Sequence, residues 1–252
     1  MASLEKQDLP NVAQLMDELR AANEALAVST KALAEADVRH KAMIGELNHR
    51  VRNMLAAVSA MASQTLARHV DDDTLDMFQE RLHAMARTYK MLTEAGWSAL
   101  SFHELVHETL AAVADPRRFS LDGPPLALAP REALALGMVL HELTANALNH
   151  GALSNMEGRV DVRWENAGGR ADAVAIRWTE SGGPPVAEPS HRGFGTLMVE
   201  RQLAYELQGH STLTYARGGL LATLHLPLLQ VPEEHGHERG TSRRPGRHGG
   251  GG

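Results

Sequence analysis

The sequence predicts an α+β fold in more than one part, and three observations carry that prediction. Residues 11–95 contain no proline and repeat apolar side chains at steps of three and four, the period of packed helices. Residues 158–226 contain four segments in which apolar and polar residues alternate, the period of half-buried strands. Between them lies a strongly periodic helical stretch opened by Pro130. Helices mixed with mainly antiparallel strands make an α+β layer domain.

The first element is long. From Val12 through Leu15, Leu19, Leu26, Leu33 and Met43 to Leu47, seam positions alternate steps of three and four, flanked by Glu, Lys, Arg and Gln. Residues 1–40 are therefore expected to form a coiled-coil helix. It runs in phase into residues 46–56, Glu-Leu-Asn-His-Arg-Val-Arg-Asn-Met-Leu-Ala. Leu47, Val51, Met54, Leu55 and Val58 continue one apolar stripe. His49 follows Leu47 by two residues, roughly 200° round the helix at about 100° per residue, and so points away from the stripe. Asn53 is one turn on. The helix is expected to stop near Arg68-His69, followed by the acidic connection Val70–Thr74. A second helix, Leu75 to Ala95, carries Phe78, Leu82, Met85, Tyr89 and Leu92 on one face and stops at Gly96. Two long helices joined by a few residues make a hairpin, here over 41–98. A lone hairpin has too little core, so dimerisation into a four-helix bundle is expected.

Residues 99–230 form the second part. Ser101-Phe-His-Glu104 opens a helix to about Ala114 with a capping box. Phe119–Leu121 is a short strand. The Pro130 helix closes at Gly151. Gly158–Asn166 and Asp172–Glu180 are strands joined across Ala167–Arg170. Gly182–Arg192 is a Gly/Pro-rich loop, and Gly195–Leu207 a helix. Ser211–Ala216 and Leu220–Leu226 form a last hairpin. Residues 231–252 are rich in Glu, His, Arg and Gly and read as a disordered tail.

The totals exclude several classes. The net charge of −6 argues against a general nucleic-acid binder. No apolar run approaches the roughly 20 residues of a membrane span. With no cysteine there are no disulfides, thiolate metal sites or thiol nucleophiles, and a cytoplasmic setting fits.

Three clusters in the second part could do chemistry. In His141-Glu142-Leu-Thr-Ala-Asn146, Glu142 and Asn146 are four apart and share a helix face. An acid and an amide oxygen there can hold a hard cation such as Mg²⁺, though ordinary surface polars give the same pattern. In Arg177-Trp178-Thr-Glu180-Ser-Gly182-Gly183, a strand ends in an acid and a glycine pair. The acid can accept an exocyclic amino proton of adenine, and the glycines let a flat base approach the backbone. An exit turn would need glycine equally. In Gly193-Phe194-Gly195-Thr196, glycines precede a helix whose N–H groups can face phosphate.

Together with Asn48-His49-Arg50-Val51-Arg52-Asn53, these clusters resemble the bacterial HWE sensor histidine kinases, named for a histidine in the N box and a Trp-x-Glu, here His141 and Trp178-Thr179-Glu180. The resemblance covers roughly residues 40–230. It implies a Bergerat-type α/β sandwich that binds ATP, and a dimerising helical hairpin. By position it makes His49 the phosphoacceptor and Asn146 a Mg²⁺ ligand, with Glu142 as a catalytic or metal-supporting acid. Glu180 would hold the adenine amino group. Gly182, Gly193 and Gly195 would shape the nucleotide site, along with Gly183, Phe194, Thr196, His141 and Trp178, and residues 183–193 would be a short lid. The sequence departs from the family pattern at Asn149 and His150, where a Lys and an aromatic are usual, and has Tyr89 where a His is expected. Arg50 follows the phosphoacceptor in place of the acid of better-known kinases, so Glu46 and Glu142 are the candidate bases.

The expected function is autophosphorylation of His49 from Mg-ATP and transfer to an aspartate of a response-regulator receiver domain. No sensor domain is recognised before the coil, so input is expected from a partner or from an upstream segment. Two rival readings use the same residues: a phosphotransfer protein with an inactive ATP site, and a non-enzymatic coiled-coil scaffold.

Overall fold

The computed structural model describes residues 12–167, 173–186 and 194–228. The chain divides into two compact units, Met1–Leu75 and Asp76–Gly252. The expected tail, Gly193 and most of the expected lid lie outside the described residues.

The first unit is essentially one helix, α1, Val12–Leu66. Its 55 residues span roughly 80 Å at 1.5 Å per residue. The expected single stripe around His49 divides into two faces. Val51 and Leu55 are half-buried beside buried Asn48. Leu47, Met54 and Met61 lie on another face and are 54–60% exposed. Apolar residues at steps of three and four drift round a straight helix, so one run can supply two faces. The seam positions Leu19, Leu26 and Leu33 are exposed as well. Asp71 closes the connection, accepting from the Thr74 N–H at 2.8 Å and the Thr74 hydroxyl at 2.9 Å. These bonds hold its carboxyl below the usual range. They also start the next helix, α2, Asp72–Glu94.

The second unit is built on a five-stranded mixed sheet. In chain order the strands are β1 (Leu100–Ser101), β2 (Phe119–Asp122), β3 (Ala127–Leu128), β4 (Arg159–Asn166), β5 (Ala173–Ser181), β6 (His210–Ala216) and β7 (Gly219–Pro227). The sheet order is β2-β4-β5-β7-β6, with β2 parallel to β4 and every other neighbour antiparallel. The two-residue strands β1 and β3 pair separately. They lie below the length at which alternation can be read from sequence.

One face of the sheet is apolar. Val160, Val162 and Trp164 on β4, Val174, Ile176 and Trp178 on β5, and Ala222, Leu224 and Leu226 on β7 are buried. The other face carries Arg163, Glu165 and Arg177. The helices α3 (Phe102–Ala111), α4 (Pro130–Asn149) and α5 (Phe194–Arg201) contribute their apolar sides to the same core. α5 runs on into a π-helical turn, Gln202–Glu206, within what the sequence reads as one helix. Phe102 and Trp164 meet edge to face at 5.0 Å. Each large side chain buried in this way contributes about 1.5–3 kcal/mol. α2 joins this unit as well. Leu92 lies in its core, and Thr88 packs where a Cβ on Gly137 of α4 would collide with it.

Candidate functional site

Helix α4 positions the first half of the site. Pro130 supplies its pre-set first turn, and Glu132 accepts a hydrogen bond from the Ala129 N–H at 2.7 Å. A full apolar stripe then fixes its rotation, which turns Glu142 and Asn146 toward the start of α5. A Cβ built on Gly195 would lie 2.7 Å from Glu142 Oε2 and 3.8 Å from the Asn146 amide. Only a glycine lets the α5 backbone come this close. Phe194 begins α5 and Thr196 is half-buried in its first turn.

Glu142 is buried at 4% side-chain exposure. Its carboxylate is gripped by Arg81 of α2. Arg81 Nε donates to Oε1 at 2.6 Å and Nη2 to Oε2 at 2.9 Å, a two-pronged charge-assisted pair.

The second half of the site forms where β5 ends. Alternation puts Trp178 and Glu180 on the same buried face of the strand. Trp178 Nε1 donates to Glu180 Oε1 at 3.1 Å, and the Ala152 N–H donates to Oε2 at 2.8 Å. Burial pushes the Glu180 carboxyl up, and these two donors pull it back in part. A Cβ on Gly151 would collide with this carboxylate, and one on Gly219 would collide with the Glu180 backbone. Gly182 adopts φ +69°, in the left-handed region that favours glycine. A Cβ on Gly183 would lie 2.7 Å from Ala152 Cα, so this loop lies flat on the segment after α4.

That segment is pinned by two residues that sequence reasoning missed. Arg118 donates to the carbonyls of Ala152, Asn155 and Gly158 at 2.5–3.2 Å. Asn155 accepts from the Gly158 N–H at 2.8 Å and donates to the Gly182 carbonyl at 3.0 Å. Along α4, Glu142 and the last helical residue, Asn149, are about 10 Å apart at 1.5 Å per residue, and Gly151 follows just past that end. The carboxylate of Glu142 and the carboxylate of Glu180 thus mark two ends of one region.

His141 does not join them. It lines a 320 Å³ cavity with Glu80, His83, Arg87, Thr109 and Thr144, among others. Burial holds its imidazole below the usual histidine range; Arg87 adds to this, while Glu142 and Glu80 oppose it. In the first unit His49 is exposed on α1, with the Asn53 amide 3.2 Å from its Nδ1. Glu46 is engaged by Arg50, whose Nη2 and Nε donate to its Oε1 at 2.5 and 3.1 Å.

Among the described residues no three His, Cys, Asp or Glu gather as a metal cluster, and no helix is long and apolar enough to cross a membrane. A seat for Mg²⁺ would therefore need donors from its ligand. One carboxylate and one amide oxygen on a helix face, completed by phosphate oxygens, fit a hard octahedral cation.

The chain resembles known histidine kinases over part of its length. Residues 46–125 match the HWE histidine kinase family. The blue-light-activated histidine kinases of Brucella ovis and Brucella anthropi are 33% and 34% identical to the chain over 208 residues, 80% of its length. Over residues 46–125 the chain is similar to the HWE histidine kinases. It spans 42% and 41% of the length of those two relatives. The Erythrobacter litoralis EL346 blue-light activated histidine kinase matches its fold with a TM-score of 0.52 at 18% identity, over 74% of this chain and 59% of that one.

The matched HWE segment contains His49, Asn53 and Arg81 and ends before Glu142. Arg81 had no signal in the sequence. It stands 61 residues from its partner, on a helix that also carries Arg87 and Lys90. Arg118 is equally silent, because its acceptors are all backbone carbonyls. The paired Trp and Glu of the HWE name were legible, and the indole-to-carboxylate hydrogen bond gives a physical reason for their spacing of two.

Proposed function

We infer that this chain is an ATP-dependent protein-histidine kinase of two-component signalling, with His49 as phosphoacceptor. The observation that carries the reading is an exposed imidazole bonded to Asn53, in a chain whose other unit holds a buried, twice-bonded carboxylate over a glycine-lined strand end. The adenine amino group would donate to a remaining lone pair of Glu180. Gly182 and Gly183 would leave room for the base. Phosphates would lie toward Gly195 and Thr196 at the start of α5. Glu142 and Asn146 would hold Mg²⁺, which when bound neutralises phosphate charge.

Asn53 sets the imidazole. Its Nδ2 lies 3.2 Å from Nδ1; a half-turn of the amide brings Oδ1 there to accept from Nδ1–H, and Nε2 then keeps its lone pair. Nε2 attacks the γ-phosphorus, an N–P bond forms, the bond to the β-phosphate bridging oxygen breaks, and ADP leaves with the electron pair. The Nδ1 proton then departs to water or to Glu46, three residues back on α1. An aspartate oxygen of a receiver domain next attacks the phosphorus, the N–P bond breaks, and neutral His49 is restored.

The exposed seam of α1 favours a homodimer, with a second copy covering Leu19, Leu26 and Leu33. Input would come from a sensor segment or partner.

Incubating the protein with γ-labelled ATP and Mg²⁺ tests the reading. His49→Ala is expected to abolish acid-labile labelling while nucleotide binding stays intact. Label retained in that variant overturns the assignment, and no label in the unaltered chain favours a phosphotransfer or scaffold role.

A further inference from the structure

The Arg81–Glu142 pair lies where the reading above needs a metal. Glu142 is 4% exposed and Arg81 19%, so the pair is largely removed from water. Both carboxylate oxygens are taken by guanidinium N–H groups. One of them, Oε2, faces Gly195, and Glu142 lies on the same helix face as Asn146, the proposed Mg²⁺ partner. A guanidinium has five donors and no acceptor, so it adds nothing to a metal's ligand set and repels the ion. One buried carboxylate cannot serve both cations at this geometry.

We propose that Arg81 is a built-in counter-cation that occupies the Mg²⁺ place on Glu142, so that Mg-nucleotide binding and the Arg81–Glu142 pair exclude each other. This rests on Glu142 and Asn146 being the metal seat. Arg81 is thus a positioning residue, acting through Glu142. The empty site is latched to α2, and loading with metal and nucleotide opens the latch. Three further anchors of α2 lie C-terminal to Arg81: buried Ala84, Thr88 against Gly137, and Leu92 in the core. Loss of the Arg81 pair therefore frees the segment from Asp76 to His83 first, with the rest of α2 still held.

The exclusion has a measurable signature. Binding to a site that must first open is weakened by the fraction of molecules already open. Removing the latch therefore tightens binding, and only for the metal-loaded nucleotide. The full-length chain is titrated with ADP by calorimetry, once with Mg²⁺ and once with EDTA. Arg81→Gln is expected to tighten Mg-ADP on the order of tenfold and to leave metal-free ADP unchanged. Arg81→Lys, which keeps the charge but loses the fork, is expected to fall between and carries the test should the Gln variant fold poorly. Hydrogen exchange at amides 76–83 is expected to speed up when Mg-ADP is added to the unaltered protein, and to be fast beforehand in Arg81→Gln.

Glu142→Gln separates the two levels. Equal affinity with and without Mg²⁺ in that variant supports the seat. If it loses its Mg²⁺ dependence while Arg81→Gln binds Mg-ADP no more tightly than the unaltered chain, the latch is overturned and the seat stands. If Glu142→Gln keeps full Mg²⁺ dependence, the seat itself is wrong and the latch falls with it.

Discussion

Gly151 shows how one hydrogen atom in place of a methyl group decides a site. Glu180 is a carboxylate with 4% exposure, and burial of its charge is tolerated because Ala152 and Trp178 each give it a donor. Gly151 lies against the Glu180 oxygens and also close to Ala147 of α4; a Cβ there would approach Ala147 Cα to 3.0 Å. The backbone of α4 does not yield as a flexible side-chain tip would. Gly151→Ala is therefore expected to displace Glu180, to lower stability in urea unfolding by about 1–3 kcal/mol, and to weaken ADP binding. Unchanged stability together with unchanged binding would mean that the carboxylate has room the packing does not suggest. His141 makes the complementary case, a titratable group held neutral. Its folded-state proton affinity is lowered chiefly by burial, and Glu80, Arg81, Arg87 and Glu142 surround it electrostatically. As pH falls through about 6.5, the unfolded chain takes up a proton that the folded chain resists. Stability contributed by the neutral imidazole is thus complete above that pH and is lost below it. Melting temperatures between pH 7.5 and 5.5 are expected to fall more steeply for the unaltered protein than for His141→Asn.

At the scale of elements, what could be read from the sequence follows from periodicity. α1, α2, α4, β4, β5 and the β6–β7 hairpin were legible because each is long enough to repeat its pattern several times. β4 and β5 in particular alternate buried and exposed residues over eight and nine positions. β1 and β3, two residues each, have no pattern to repeat. The parallel pairing of β2 with β4 was not legible either, since a four-residue strand carries no mark of its direction. The candidate site divides the same way. Residues marked by local motif, such as Trp178 with Glu180 or Glu142 with Asn146, were found in the sequence. Arg81, Arg118 and Asn155 act across long separations or on backbone groups, and such pairings leave no local trace. The family resemblance puts His141 with the nucleotide residues. A step of one residue turns a helix by about 100°, so Glu142 faces α5 while His141 faces the cavity toward Glu80 and His83.

For the whole molecule, the exposed seam of α1 bears on assembly. Leu26 is 61% and Leu33 74% exposed in the single chain, an arrangement that a long helix in water does not hold alone. The homodimer proposed above predicts that substituting both with lysine gives a monomer in sedimentation equilibrium. A dimer that persists would assign self-association to another face, such as that of Leu47, Met54 and Met61. α1 has a further consequence, which is mechanical. No proline lies between Val12 and Leu66, and the helix is unbroken across that span. It behaves as a torsion rod, in which the azimuth of His49 is set by how many residues precede it. Removing seven residues ahead of position 40 would leave that azimuth within about 20° of its present value, while removing two would swing the imidazole by roughly 200°. Whatever turns the far end of the rod also aims the histidine.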